Sequence, residues 1–165
     1  MFDDETYELA AELVRLCTEG NVMVSTAESC TGGLIAAAIT SISGSSQVME
    51  RGFVTYSDKA KQEMLGVLPI TLRQYGAVSK DVALEMAHGA MSRSEGGITI
   101  STTGIAGPDG GTTGKPVGLV HFGGRHYKGK LVHREMQYGP IGRDNIRLAA
   151  VKTALEMMIE LADIK

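Results

Sequence analysis

Apolar residues in this chain fall either at helical spacing or in short β-branched and aromatic runs, and the two patterns predict helices and strands. The helical spacing predicts helices over residues 4–19, about 32–43 and about 144–163. The short runs predict strands at Val22–Thr26, Gly52–Tyr56, Ile98–Thr103, Val117–Phe122 and Lys130–Tyr138. Shorter helices are expected to begin at the N-cap residues Asp58 and Ser79, and at Pro69.

The order of these elements indicates the fold class. Helices and strands alternate over most of the chain, and the last two strands pair as a hairpin through Gly123-Gly124. This order predicts an α/β fold, a three-layer α/β/α sandwich with a mixed, mostly parallel sheet. No linker interrupts the pattern, so residues 1–165 are expected to form a single domain.

Composition and charge narrow the class of protein. The net charge of −3 argues against a broad nucleic-acid footprint. The longest apolar run, Leu34–Ile39, is too short to span a bilayer, and the acidic N-terminus is unlike a secretory signal. The two cysteines have no CxxC spacing, which argues against a disulfide framework or a zinc site. We therefore expect a cytoplasmic protein that holds no metal and binds neither nucleic acid nor membranes.

The segment Ser25–Gly33 places a small hydroxyl residue, Ser29, where a strand turns into a helix. N–H groups at a helix start favour negative charge, and the paired glycines permit close approach of a ligand. Ser29 is therefore a helix N-cap, a phosphate ligand or a nucleophile. Cys30 is a rival nucleophile, but consecutive extended residues point in opposite directions, which favours simple packing for Cys30.

A serine nucleophile needs a base, and the chain offers a lysine rather than a histidine. The four histidines show no metal-ligand or triad spacing. Lys61 lies just after the second predicted strand, whose end would lie near the end of the first. It can act as a base only if burial or neighbouring charge lowers its pKa; otherwise it is a solvated helix lysine. Tyr56 is either a core residue or a hydroxyl that bridges this site.

The loop from Thr103 to Gly118 contains six glycines without the lysine–serine ending of a P-loop. Its expected use is to bring backbone N–H groups against a polar or anionic ligand, although an ordinary turn is the alternative. Arg143 and Arg147 are four residues apart on one face of the last predicted helix. They could hold a phosphate, or they could form a solvated helix edge.

Five segments together resemble the CinA C-terminal domain family, whose characterised members are nicotinamide-nucleotide amidases. The segments are Thr26–Gly33, Gly52–Ser57, Gly76–Ser79, Thr103–Gly111 and Lys115–Gly118. The resemblance covers nearly the whole chain. It implies hydrolysis of the carboxamide of nicotinamide mononucleotide to nicotinate mononucleotide and ammonia, by a serine–lysine mechanism without metal or cofactor. Family habit also suggests a homodimer.

On the matching positions, the resemblance implies Ser29 as the nucleophile, Lys61 as its base and Tyr56 as an assisting residue. It also implies oxyanion donors at Thr31–Gly33. The residues expected to bind the substrate are Cys30, Thr31, Gly32, Gly33, Thr103, Gly104, Ala106, Gly107, Arg143 and Arg147.

The chain departs from the family pattern before its last helix. The family has a compact Gly-Asp/Asn-Arg there, whereas this chain reads Tyr138-Gly139-Pro140-Ile141-Gly142-Arg143. Arg143 and Arg147 therefore remain alternatives as the phosphate ligand. A non-catalytic nucleotide-binding or regulatory module is the alternative function. A DNA-associated role is suggested by the family name only, and nothing basic in the sequence supports it.

Overall fold

The computed structural model describes residues 1–163, and over that range it contains one five-stranded sheet flanked by helices. The strands are β1 (Val24–Glu28), β2 (Met49–Val54), β3 (Ile98–Gly104), β4 (Leu119–His126) and β5 (Leu131–Gln137). The α-helices are α1 (Asp4–Gly20), α2 (Leu34–Thr40), α3 (Asp58–Leu65), α4 (Pro69–Tyr75), α5 (Lys80–Ser92) and α6 (Arg143–Ala162). No helix in this range is long and apolar enough to cross a membrane.

The strand order in the sheet is β2-β1-β3-β4-β5. Strand β1 lies at the parallel end of the sheet, paired with β2 on one side and β3 on the other. Strand β4 is antiparallel to both of its neighbours, so four of the five strands run in one direction. The mixed α/β sheet is thus confirmed.

Two helical layers cover the sheet, as expected for a three-layer sandwich. Helices α1, α2 and α6 contact one another, and α6 packs on β3 and β4. Helix α5 packs on the sheet, and α3 and α4 pack against α5. The core of the first layer includes the fully buried Leu13, Ile35, Phe122 and Leu155. Burial of each such side chain stabilises the fold by about 1.5–3 kcal/mol, so this layer fixes the sheet against which the site is built.

Close backbone contact holds α3, the helix that carries Lys61, against α5. A Cβ built on Gly89 would lie 1.9 Å from the carbonyl oxygen of Leu65, so only glycine fits at this crossing. Helix α3 begins one residue earlier than predicted. Ser57, not Asp58, is its N-cap, because the Ser57 hydroxyl accepts the Ala60 N–H at 3.0 Å.

Several other boundaries differ from the predicted ones for local reasons. Helix α2 begins at Leu34 because Gly32 and Gly33, with φ of +58° and +100°, keep the chain out of helical geometry. Strand β1 extends through Glu28, two residues beyond the predicted end, because pairing with both neighbours continues to that residue. Ser29 therefore follows the strand directly.

Candidate active site

The candidate site lies where the parallel strands end. Ser29 follows β1, Lys61 lies in the helix that follows β2, and Thr103 is the second-last residue of β3. Because carboxyl ends of neighbouring parallel strands meet at one edge of the sheet, these side chains converge on one pocket of about 290 Å³. The predicted site residues that line it are Ser29, Cys30, Tyr56, Lys61, Thr103, Gly104, Ala106, Gly107 and Arg143.

The centre of the pocket is a contact between Lys61 and Ser29. The Lys61 Nζ lies 3.0 Å from the Ser29 Oγ and 2.9 Å from the Thr55 carbonyl oxygen, and it lies 3.4 Å from the Tyr56 carbonyl oxygen. Lys61 is only 1% exposed, so it is not the solvated helix lysine. Burial lowers its pKa, against the opposing charge of Asp58.

The burial of Lys61 and its lack of an ion pair favour a neutral amine. Within residues 1–163 the side chain takes part in no ion pair. An ammonium would donate to all three oxygens, those of Ser29, Thr55 and Tyr56. A neutral amine has two donors, which the two carbonyls can accept, and its lone pair can then accept the Ser29 hydroxyl proton.

Ser29 does not cap the following helix. The N-cap position of α2 is Gly33, which as a glycine has no side chain to cap the helix. The Ser29 N–H donates to the Thr102 carbonyl at 3.0 Å, which fixes the backbone at the end of β1. The hydroxyl, on a side chain that is 8% exposed, is left to face Lys61 and the pocket.

The start of α2 is not an open anion site, because a carboxylate of this chain already occupies it. The buried Glu28 accepts the N–H of Gly33 and Ile35 at one oxygen, at 3.0 and 3.1 Å, and the N–H of Ala36 at the other, at 2.9 Å. These three N–H groups do favour negative charge, as expected, but Glu28 supplies it and a ligand does not. Sequence reasoning missed Glu28, although an acidic residue just before a helix is the signal that could have found it.

Two further N–H groups of this loop remain available. The Gly32 N–H donates to the Ser29 carbonyl at 3.1 Å, so Gly32 and Gly33 both have acceptors. The N–H groups of Cys30 and Thr31 make no backbone hydrogen bond in the part of the chain that the structure describes. Thr31 is fully buried and Cys30 lines the pocket, so the Cys30 N–H is the better placed of the two for a ligand beside Ser29.

The side chains of Cys30 and Thr31 contribute to packing and hydrogen bonding within the protein. Cys30 is buried, and burial raises the pKa of its thiol to about 11, so the thiol stays protonated near neutral pH. This agrees with a packed neighbour rather than a rival nucleophile. The Thr31 hydroxyl shares a buried hydrogen bond of 2.9 Å with the Thr102 hydroxyl and does not reach the pocket.

Tyr56 and Arg143 meet at the mouth of the pocket. The Tyr56 side chain is 62% exposed, and its hydroxyl accepts a hydrogen bond from the Arg143 Nη2 at 3.1 Å. Tyr56 therefore contributes its carbonyl oxygen, not its hydroxyl, to the lysine. The Arg143 Nη1 donates to the Gly107 carbonyl at 2.8 Å, which ties the start of α6 to the glycine-rich loop.

Arg147 lies outside the pocket. Its Nε donates to the Cys30 carbonyl at 3.1 Å and its Nη2 to the Thr31 carbonyl at 3.2 Å, behind the loop that carries Ser29. The structure thus does not bring Arg147 into the pocket with the other predicted binding residues. The same holds for Thr31, Gly32 and Gly33, whose contacts are described above.

The glycine-rich loop forms the wall opposite Ser29. The Thr103 hydroxyl donates to the Ala77 carbonyl at 2.8 Å and so fixes the end of β3 to the preceding segment. Backbone amides at Ala106, Gly107 and Gly110 make no backbone hydrogen bond within residues 1–163 and line or border the pocket. Asp58, Ala77 and Val78 also line the pocket, and sequence reasoning missed them as site residues. Ile105, Asp109 and Gly110 line it too, and they belong to the loop that was expected to approach a ligand.

The described residues contain no group of three or more His, Cys, Asp or Glu side chains that could hold a metal ion. The nearest approach of two histidines is on β4 and β5, where the His121 Nδ1 lies 2.9 Å from the His133 Nε2. Neither ring lines the pocket around Ser29.

Fold and site together define an α/β/α protein with a buried hydroxyl–amine pair at the carboxyl ends of its parallel strands. The chain belongs to the CinA C-terminal domain family, whose model matches residues 6–162. Nicotinamide-nucleotide amidohydrolase PncC of Enterobacter agglomerans is 46% identical over 156 residues, which cover 94% of each chain. PncC of Escherichia coli K12 is 45% identical over 159 residues, covering 96% of this chain and 95% of that protein.

A solved structure has the same fold over the same length. The crystal structure of a competence/damage inducible protein from Agrobacterium tumefaciens is 55% identical and has a TM-score of 0.97 to this chain. The comparison covers 98% of both chains.

Proposed function

We propose that this protein hydrolyses the carboxamide of nicotinamide mononucleotide to nicotinate mononucleotide and ammonia, with Ser29 as nucleophile and Lys61 as base. The observation that carries the proposal is the 3.0 Å contact between the Lys61 Nζ and the Ser29 Oγ in a buried setting. The names of the two PncC relatives support the choice of substrate.

The proposed reaction uses Lys61 as a base and then as an acid. The neutral amine takes the Ser29 hydroxyl proton while the Ser29 oxygen attacks the carboxamide carbon. The resulting ammonium donates a proton to the departing nitrogen, so the C–N bond breaks and ammonia leaves. Lys61 then takes a proton from the water that attacks the acyl-serine ester. It gives this proton to the departing Ser29 oxygen as the ester C–O bond breaks, which releases the carboxylic acid product and restores the Ser29 hydroxyl and the neutral amine.

The N–H group of Cys30 is the proposed donor to the oxyanion that forms during this attack. It has no backbone acceptor in the described residues, and Cys30 lines the pocket and directly follows the nucleophile. In nucleophile elbows of other hydrolases the residue after the serine supplies such a donor. One donor of this kind typically contributes about 10²–10³ in kcat.

The phosphate of the substrate would be bound at the pocket mouth. Arg143 supplies positive charge there, and the amides of Ala106 and Gly107 face the same pocket. Tyr56 would orient Arg143 through the hydrogen bond between their side chains. This assigns phosphate binding to Arg143 and not to Arg147.

The test is ammonia release from nicotinamide mononucleotide by purified protein and three variants. Ser29→Ala and Lys61→Met are expected to lose at least about 10³-fold in kcat, because each removes a reacting group. Lys59→Ala is the matched control, since Lys59 lies on the same helix with an 82% exposed side chain. Full activity in folded Ser29→Ala would refute the proposal.

The alternative is a nucleotide-binding or regulatory module without catalysis. The glycine-rich loop and Arg143 would serve it equally well, because phosphate binding needs neither Ser29 nor Lys61. It predicts that the nucleotide raises the Tm of the wild-type protein while no ammonia forms. Ammonia release by the wild type decides between the two functions.

A further inference from the structure

Arg147 holds the loop that carries Ser29 from the side opposite the pocket. It reaches from the first turns of α6 to a loop more than a hundred positions earlier and bonds two successive carbonyls, those of Cys30 and Thr31. It forms no ion pair within residues 1–163. A guanidinium whose hydrogen bonds go to backbone carbonyls fixes the conformation of that backbone.

The contact bears on the site through the backbone that Cys30 and Thr31 share with Ser29. Cys30 directly follows Ser29 and lines the pocket, and its N–H has no backbone acceptor in residues 1–163. Thr31 is fully buried and lies outside the pocket. The carbonyls that Arg147 bonds therefore belong to the segment that sets the places of Ser29 and of the Cys30 N–H.

The opposite charge lies on the other side of the same loop. The Glu28 carboxylate accepts the N–H of Gly33, so the loop is held between a cation on its carbonyls and an anion on its amides. The Gly32 backbone lies close to Arg147, since a Cβ built on Gly32 would lie 3.4 Å from the Arg147 Nη2. A shift of Arg147 therefore shifts the loop backbone itself.

We infer that Arg147 is a positioning residue, which holds the Cys30–Thr31 backbone so that Ser29 and the Cys30 N–H keep their places at the pocket. This inference rests on the proposed function, because it assigns a part in the same reaction. It departs from a phosphate-binding role for Arg147, which would require that side chain in the pocket with Arg143.

Arg147→Lys is the first test, because lysine keeps the charge but cannot bond two carbonyls as a planar fork. We expect kcat for nicotinamide mononucleotide to fall about 10–100-fold with KM nearly unchanged, since displaced donors impair the transition state more than the bound substrate. Arg143→Lys should mainly raise KM. Arg134→Lys is the matched control, since Arg134 pairs with Glu156 and Glu160 of the same helix, at its far end.

A second readout separates this inference from the choice of substrate. A fluorophosphonate reacts with an activated serine by forming an Oγ–P bond and breaking the P–F bond, while fluoride leaves and the base takes the hydroxyl proton. This reaction needs the oxyanion donors but no amide. We expect Arg147→Lys to slow labelling of Ser29 about 10-fold or more, and millimolar guanidinium to restore part of the rate in Arg147→Ala.

The outcomes are distinct. Wild-type labelling without ammonia release would refute the proposed substrate, and the labelling rates of the variants would still test Arg147. A raised KM with unchanged kcat in Arg147→Lys would overturn the inference in favour of substrate binding, and an unchanged labelling rate would also overturn it. If Arg147→Lys does not fold, Arg147→Gln, which can still donate to one carbonyl, replaces it under the same criteria.

Discussion

Replacing Glu28 by glutamine tests whether a buried carboxylate holds the Ser29 loop together. The carboxylate accepts three N–H groups with two oxygens, at 2.9–3.1 Å. A glutamine amide offers one oxygen, which can keep the two bonds from Gly33 and Ile35. Its NH₂ group then faces the Ala36 N–H, so one charge-assisted bond is replaced by two opposed donors.

The size of the expected loss in the free energy of unfolding follows from these bonds. A hydrogen bond to a charged group contributes about 1.5–3 kcal/mol, and the loss also leaves a buried N–H without an acceptor. The negative charge at the helix N-terminus contributes about another 0.3–1 kcal/mol. Since these contributions overlap, Glu28→Gln should lower the free energy of unfolding by about 2–4 kcal/mol. For a domain of this size that corresponds to a fall in Tm of roughly 5–15 °C.

Urea denaturation followed by circular dichroism measures this change, with Glu12→Gln as the matched control. Glu12 pairs with Arg15 on the exposed face of α1, where such a pair contributes about 1 kcal/mol or less. The same variants should be assayed for ammonia release, where Glu28→Gln should lose kcat because the loop is no longer fixed. A Glu28→Gln protein within 1 kcal/mol of the wild type would refute the argument.

The remaining predictions concern protonation and packing. Because burial lowers the pKa of Lys61, kcat/KM should rise with pH through that lowered pKa and level off below the ordinary lysine pKa of about 10.4. If kcat/KM still rises up to a pH of about 10.4, the neutral-amine mechanism is contradicted. Gly89→Ala should lower the free energy of unfolding by about 2 kcal/mol or more because its Cβ would meet the Leu65 carbonyl, whereas Gly114→Ala, with open space around it, should be nearly neutral in urea denaturation. Iodoacetamide at pH 8 should leave Cys30 unmodified in the folded protein, and rapid alkylation detected by mass spectrometry would contradict its burial.

The distance between Ser29 and Lys61 could be anticipated from the sequence because it depends on topology. A residue at the end of one parallel strand and a residue just after the neighbouring strand lie at the same edge of a sheet, irrespective of their side chains. Burial of Lys61 could not be anticipated in this way. It depends on the crossing of α3 and α5 at Gly89, which joins segments that are distant in sequence.

The roles of Glu28 and Arg147 escaped sequence reasoning for a related reason. Each acts through hydrogen bonds to the backbone, and such bonds leave no pattern of residue types in the loop that receives them. The four-residue spacing of Arg143 and Arg147 left two interpretations open, a shared phosphate or a solvated helix edge. The structure instead directs one guanidinium to the pocket mouth and the other behind the loop, because the two side chains meet different segments at the start of α6.

The position of Glu28 also bears on why Lys61 can serve as a base. A carboxylate one residue before the nucleophile would favour the ammonium form of Lys61 if it faced that side chain, and the pair would then be inert near neutral pH. Here the Glu28 oxygens face the helix N–H groups, and the negative charge that opposes the lowering of the Lys61 pKa is that of Asp58. The bonds that cap α2 therefore keep a buried negative charge away from the lysine. This arrangement requires that Glu28→Gln lower the maximal kcat/KM and leave the pH at which kcat/KM rises nearly unchanged. Such a result would show that Glu28 acts on the loop and not on the protonation of Lys61.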